Sequence, residues 1–204
     1  MHGFMSIFPV AIPLIAMILF NIIVYREKLT TKGSQFKPMM IVSFSIILGG
    51  LEASLRRFAH YDYWDDCVME SVLVSSGADL LTYGMGENIL RKIASLLDKG
   101  VPVNKIRDVR GTVWIGSKGD KIHFDSCGEW DFEKLRTDKK YYAQAFAEQY
   151  KNQDSCYGKA LVEYYGDKML VQNPPMPPLE REELDEVYAL PYMRDYHPSY
   201  EKDG

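Results

Sequence analysis

Two apolar runs, each closed by glycines and each followed by a helical pattern, dominate the hydrophobic profile of this chain. Residues 41–48 are β-branched and apolar with little alternation, as in a strand covered on both faces of a parallel sheet, and Gly49-Gly50 ends the run. The spacing then predicts a helix over 52–61, with Leu51, Leu55 and Phe58 on its packed face and Arg56 and Arg57 turned away. Residues 66–75 read as a further short helix, broken at Ser75-Ser76-Gly77. A second buried strand spans 78–83, and Gly84-Met85-Gly86 turns the chain into a helix over 87–99. There Ile89, Leu90, Ile93, Leu96 and Leu97 keep helical spacing, and Glu87 suits the N-terminal dipole. Strand, helix, strand, helix with covered strands is a parallel α/β unit, so the expected class is α/β with part of a doubly wound parallel sheet.

Downstream the pattern is less regular. A connection over 102–108 leads to a strand at 111–115, a turn at 116–120 and a short strand at 121–124, read together as a β-hairpin added to the sheet. Residues 130–138 look irregular. Thr137 offers an N-cap for a helix reaching Lys151, packed through Tyr142, Ala145, Phe146, Gln149 and Tyr150. Gly166-Asp167 is a hairpin turn between strands at 160–165 and 168–172. The Pro-rich run 174–178 is a stiff extended linker, 180–188 a short acidic helix, and 190–204 an aromatic tail with no core of its own. The pattern therefore divides the chain into an apolar segment with a basic flank (1–40), an incomplete α/β domain (41–173), and a linker, helix and tail (174–204).

The first of these differs in kind from the others. Residues 3–25 carry no charge, which is long enough for a bilayer span of about 20 residues. Arg26, Lys28, Lys32 and Lys37 follow it, and by the positive-inside tendency they leave the C-terminal part in the cytoplasm. No basic region precedes it, so a secretory signal is disfavoured. Two readings stay open: a membrane anchor through 3–25, and a translated stretch with no folded role.

Composition narrows the partners. With 47% hydrophobic and 25% charged positions among 204 residues, the chain can build a globular core. A net charge of −4 gives no broad basic field, so no nucleic acid is expected as a partner. Cys67, Cys127 and Cys156 are odd in number and lack CxxC spacing, which argues against a disulfide framework or a zinc knuckle and for a reducing cytoplasmic compartment. His2, His60, His123 and His197 show no metal-binding spacing. Asp62, Asp65 and Asp66 can bind a hard cation or form a solvated acidic face; the glycine of a calcium loop is absent. Tyr61, Tyr63 and Trp64 can stack on a ring system or pack a helix against its neighbour. No nucleophile elbow, Walker loop or complete dinucleotide fingerprint is present. The two glycine turns remain. In a parallel sheet they share the carboxyl edge, where glycine lets backbone N–H groups approach a ligand, or else they are plain tight turns.

Residues 47–64, Ile-Leu-Gly-Gly-Leu-Glu-Ala-Ser-Leu-Arg-Arg-Phe-Ala-His-Tyr-Asp-Tyr-Trp, closely resemble a segment of the YgiQ-type radical SAM proteins, within their N-terminal domain. The likeness continues through 78–87, 106–112, Val171-Gln172-Asn173-Pro174-Pro175 and 190–200, and covers about Ile46 to Gly204. The resemblance implies a cobalamin-binding-like α/β domain ahead of a radical SAM barrel normally supplied in cis. That barrel would hold a 4Fe-4S cluster and S-adenosylmethionine. In cobalamin-dependent relatives the matching turns line the corrin or nucleotide crevice, which makes Gly49, Gly50, Glu52, Ser54, Gly84, Gly86 and Glu87 the candidate rim. The Asp-x-His-x-x-Gly motif that supplies a cobalt-ligating histidine is absent, so cobalamin is not assigned.

The cluster-binding Cys-x-x-x-Cys-x-x-Cys signature is also absent. The likeness stops before Ile46, which suggests that residues 1–44 derive from a shifted or rearranged frame and that the chain is truncated at its C-terminus. The expected role is an accessory domain fragment of a radical SAM enzyme, inactive by itself. The alternatives are a membrane-anchored interaction module and a non-functional fragment whose Ile46 strand exposes an aggregation-prone edge.

Overall fold

The computed structural model describes residues 23–26 and 44–201. Among these residues a seven-stranded sheet has the order β1-β2-β5-β6-β9-β8-β7. Its strands are β1 (Ile23–Arg26), β2 (Phe44–Leu48), β5 (Leu80–Thr82), β6 (Thr112–Ser117), β7 (Ser126–Asp131), β8 (Ala160–Tyr165) and β9 (Lys168–Gln172). A separate two-stranded sheet pairs β3 (His60–Asp62) with β4 (Cys67–Met69).

The α/β class holds, with mixed strand directions. β2 and β5 run parallel, as do β7 and β8, whereas the remaining pairs are antiparallel. Successive strand residues point to opposite faces, so Ile47 and Leu80 enter one core while Leu48 and Leu81 enter the other. Helix α3 (Glu87–Asp98) covers the first face with Ile89, Ile93 and Leu97. The second is covered by α1 (Gly50–Leu55), by Phe58 and by α2 (Val72–Ser76), which contributes Leu73. A third, smaller cluster joins Ala59 to Leu135 of α4 (Phe132–Thr137) and Ala145 of α5 (Lys139–Lys151).

Several sequence expectations are corrected. The helix expected to reach Tyr61 stops at Leu55, and the following residues form the β3–β4 hairpin in place of more helix. Local hydrogen bonding explains this: Asp62 Oδ1 accepts from the Trp64 and Asp65 N–H groups, and Asp66 adopts a left-handed φ of 48°, which together close the loop. The helix expected over 66–75 begins only at Val72, where the Ser71 hydroxyl accepts from Leu73 N at 3.2 Å. No strand forms over 121–124. β6 pairs instead with β9, which satisfies a strand buried on both sides at Thr112, Val113 and Trp114.

The span expected to be irregular contains the end of β7 and all of α4, capped by Asp131. Asp138 rather than Thr137 caps α5, accepting from Lys140 N and Tyr141 N. Phe146 and Tyr150, expected to be packed, are exposed.

The Pro-rich run 174–178 is a docked strap. Gly111 N donates to Pro174 O at 2.8 Å, and Met176 packs on the first core. Beyond it, α6 (Arg181–Tyr188) contacts α3 through Asn88–Glu183 and Arg91–Glu186.

No helix among the described residues is long and apolar enough to cross a membrane. Most of the apolar segment 3–25 lies outside the described residues; its last part belongs to β1, which pairs with β2 and covers the edge expected to be exposed.

Candidate functional site

β2 and β5 pair in parallel register, Ile47 with Leu80 and Leu48 with Leu81, so the two glycine turns emerge side by side. Gly49 is extended and packs against β5, where a Cβ would come within 2.8 Å of Thr82 Oγ1. Gly50 opens α1 at φ 88°, a region L side chains rarely adopt. One turn later the Ser54 hydroxyl donates to Gly50 O at 2.8 Å and accepts from Gly84 N at 3.4 Å. Ser54 therefore ties the two turns together. Gly84 has a φ of 76° and is exposed.

The other candidate rim residues are placed differently. Gly86 caps α3 with an ordinary φ of −84°, and Glu87 is the first residue of that helix, with its Oε2 buried and unpartnered among the described residues. Glu52 pairs with Arg56 at 2.5 Å and lines a separate cleft beside the β3–β4 hairpin.

Ser54 and Gly84 line a cleft of about 530 Å³, together with Arg57, Tyr83, Met85 and Gln172, the 152–155 loop and the 175–178 strap. Gly49, Gly50, Glu52, Gly86 and Glu87 do not line it. Arg57, expected to face outward, turns inward. Its Nε donates to Gln172 Oε1 and its Nη1 to Ser54 O, both at 2.5 Å, and its guanidinium lies 5.1 Å from the Tyr83 ring centroid. Burial lowers its pKa below the ordinary arginine value. The Tyr83 hydroxyl donates to Asn173 O, and burial raises its pKa well above the usual phenol value. Arg110 Nε donates to Pro175 O at 2.9 Å and its Nη2 donates to Ser155 O, which clamps the strap to the loop.

Arg57, Gln172 and the 152–155 loop were not among the sequence candidates. A usable signal was present in Gln172-Asn173, a polar pair ending an apolar strand next to Pro174.

The second cleft, of about 300 Å³, is lined by Tyr61, Tyr63, Trp64 and His60 among others. Its acidic residues have structural partners: Glu52 pairs with Arg56, and Asp62 closes the hairpin loop, while nearby Asp66 Oδ1 accepts from the Tyr61 hydroxyl at 2.7 Å. His60 Nε2 is buried without a partner among the described residues, and burial lowers the ring's pKa.

A radical SAM cluster requires three convergent thiolates. Cys67 lies exposed on β4, Cys127 half-buried on β7 with its pKa raised chiefly by burial, and Cys156 exposed in the loop after α5. Among the described residues no three His, Cys, Asp or Glu side chains are grouped to hold a metal. The residues present therefore do not fit the cluster.

The sheet is open, covered on both faces, and carries a cleft beside the ends of its parallel strands β2 and β5. The chain belongs to the radical SAM N-terminal family, which matches residues 26–204. That match begins at residue 26, ahead of Ile46, where the resemblance in the sequence begins. The chain is 53% identical over 163 residues to a UPF0313 protein of Clostridium botulinum strain ATCC 19397, covering 78% of this chain and 24% of that protein. It is 49% identical over 160 residues to a UPF0313 protein of Clostridium perfringens strain ATCC 13124, with the same coverage. The chain thus spans about a quarter of the length of these relatives. No solved structure matches it.

Proposed function

We propose that this chain is the accessory N-terminal domain of a radical SAM iron-sulfur enzyme, working in the cytoplasm beside a catalytic barrel that holds the 4Fe-4S cluster and S-adenosylmethionine. The observation that carries the reading is the family match over 26–204 in a chain whose three cysteines neither converge nor follow the cluster motif. The rim built from Gly49, Gly50, Ser54 and Gly84 would present the domain's ligand or its barrel partner to the reaction. Glu52, Gly86 and Glu87 would border it at a greater distance. Taken alone, the domain would not cleave S-adenosylmethionine.

Anaerobic reconstitution of the 204-residue chain with ferrous iron and sulfide tests this. The expected outcome is no visible iron-sulfur absorbance and no 5′-deoxyadenosine from S-adenosylmethionine. A stable 4Fe-4S spectrum would overturn the proposal.

A further inference from the structure

We propose that Arg57 is the anion-recognition residue of the 530 Å³ cleft, and that the cleft takes a small organic molecule bearing a carboxylate or a phosphate. The inference goes beyond the accessory-domain reading and does not depend on it. Arg56, Arg91, Arg107 and Arg136 each pair with a carboxylate, at 2.5, 3.2, 2.9 and 3.4 Å respectively. Arg57, half-buried, has no carboxylate partner among the described residues, and neither does Arg110 beside it. The acceptors of Arg57 are a neutral amide oxygen and a backbone carbonyl. A desolvated cation held only by neutral acceptors keeps most of its charge uncompensated, and an entering anion would complete it.

The arrangement also leaves the guanidinium usable. Gln172 and Ser54 take Nε and Nη1, while Nη2 makes no hydrogen bond among the described residues and is not among the sealed, unpartnered atoms. The Tyr83 ring supports the guanidinium plane, and Arg110 adds a second positive charge near Tyr83. A pre-oriented guanidinium fork suits carboxylate and phosphate oxygens.

Among the described residues the one carboxylate lining the cleft, Asp154, already accepts through Oδ1 from Cys156 N at 2.7 Å and Tyr157 N at 2.9 Å. Met85, Pro175, Met176 and Pro178 make an apolar wall that would accommodate a carbon skeleton. The cleft volume falls within the range of small-molecule sites, about 300–1,000 Å³.

The test is a titration of the full 204-residue chain with inorganic phosphate and, separately, with acetate. Chloride is exchanged to hold ionic strength, and the Gly84 amide resonance is followed. A saturable shift with at least one anion is expected; phosphate alone points to a phosphate ester, and acetate alone to a carboxylate. Gln172→Glu places a carboxylate on Arg57 from within, in nearly the same volume. It should weaken anion binding by about tenfold or more while keeping the thermal midpoint. Arg57→Gln should weaken binding to a similar degree. No saturable shift with either anion, or undiminished affinity in Gln172→Glu, overturns the proposal. Cluster reconstitution reads neither outcome, so this proposal and the accessory-domain reading fail separately.

Discussion

The two faces of the sheet are equally well buried and chemically unlike. Under α3 the core is made chiefly of Ile47, Leu80, Ile89, Ile93, Leu97, Val162, Met169 and Val171, with no ionisable side chain among its buried members. Across the sheet, at comparable depth, Gln172 and Glu163 share their face with Leu161 and Leu170, and Arg57 reaches in from the end of α1. The first face rests chiefly on apolar area removed from water, its neutral polar groups gathered around Asn173, whose Oδ1 accepts from Trp114 Nε1 at 3.3 Å and whose Nδ2 donates to Thr112 Oγ1 at 3.0 Å. The second also needs every polar group satisfied, and it achieves this through a relay: Ser71 N donates to the Tyr165 hydroxyl, which donates to Glu163 Oε1, which also accepts from Ala59 N at 2.9 Å. That relay fastens the segment carrying the β3–β4 hairpin onto the sheet. The same face meets the cleft at Arg57, so the polar groups that specify packing and those that can recognise a ligand lie side by side.

Deleting apolar volume under α3 should produce the largest effect. Ile93→Ala is expected to lower the free energy of unfolding by about 2–5 kcal/mol in urea denaturation, because Ile93 is 1% exposed and cannot be refilled without moving α3. A loss below about 1 kcal/mol would show that apolar packing under α3 is not what holds this face.

The second effect tests the polar face. Burial raises the Glu163 carboxyl from the usual glutamate value of 4.5 to about 7, so the fold favours the protonated form. With a folded pKa above the unfolded one, stability is complete below pH 4.5 and falls as pH rises through about 7. The expected loss across that window is on the order of 3 kcal/mol. Glu163→Gln keeps the accepting oxygen for Ala59 and Tyr165 and should flatten the profile in denaturation curves taken at both ends of the window. A variant with the wild-type slope would place the titrating group elsewhere.

The contrast between the faces also explains what the sequence disclosed. The α3 face was legible because Ile89, Ile93 and Leu97 repeat at helical spacing over a long element; β2 and β5 were legible as apolar runs closed by glycines, and β8 and β9 as the arms of the Gly166-Asp167 turn. The hairpin was missed because Leu55, Phe58 and Tyr61 keep a helical spacing that Asp62 and Asp66 override through local hydrogen bonds. Strand direction was also hidden: periodicity says that β6 is covered on both faces but not that its neighbour is β9, more than fifty residues later. At the site, the glycine turns were legible as turns, and of the candidate rim residues Ser54 and Gly84 lie in the lining of the cleft. Arg57 was not, since an arginine one position from a packed phenylalanine gives no hint that its chain will fold back over Tyr83.

Smaller effects separate the glycines. Gly50 sits at φ 88°, so Gly50→Ala should cost about 1–2 kcal/mol from backbone strain alone. Gly86 has an ordinary φ of −84°, and the nearest obstacle to a Cβ there, Leu90 Cδ1, lies 3.8 Å away. Gly86→Ala should therefore cost less, about 0.5 kcal/mol, from alanine's poorer N-capping alone. Equal losses in the two variants, read from their urea midpoints, would mean that steric crowding at Gly86, not backbone strain at Gly50, controls the rim.

The smallest effect is expected on the outer side of α3, where α6 is held by polar contacts at the surface. Arg91 Nη2 lies 3.2 Å from Glu186 Oε2, with side chains 52% and 67% exposed, and Asn88 Nδ2 donates to Glu183 Oε1 at 2.9 Å. An exposed ion pair of this kind is screened by solvent and must order two long side chains, so Arg91→Ala should cost no more than about 0.5 kcal/mol. Its effect should shrink further when salt is added to the denaturation experiment. If Arg91→Ala instead lowered stability as much as Ile93→Ala does, α6 would belong to the cooperative core and the inner face of α3 would no longer account for its stability. Similar small losses at low and high salt would point to lost packing of the arginine stem, not to the charge pair, as what joins α6 to α3.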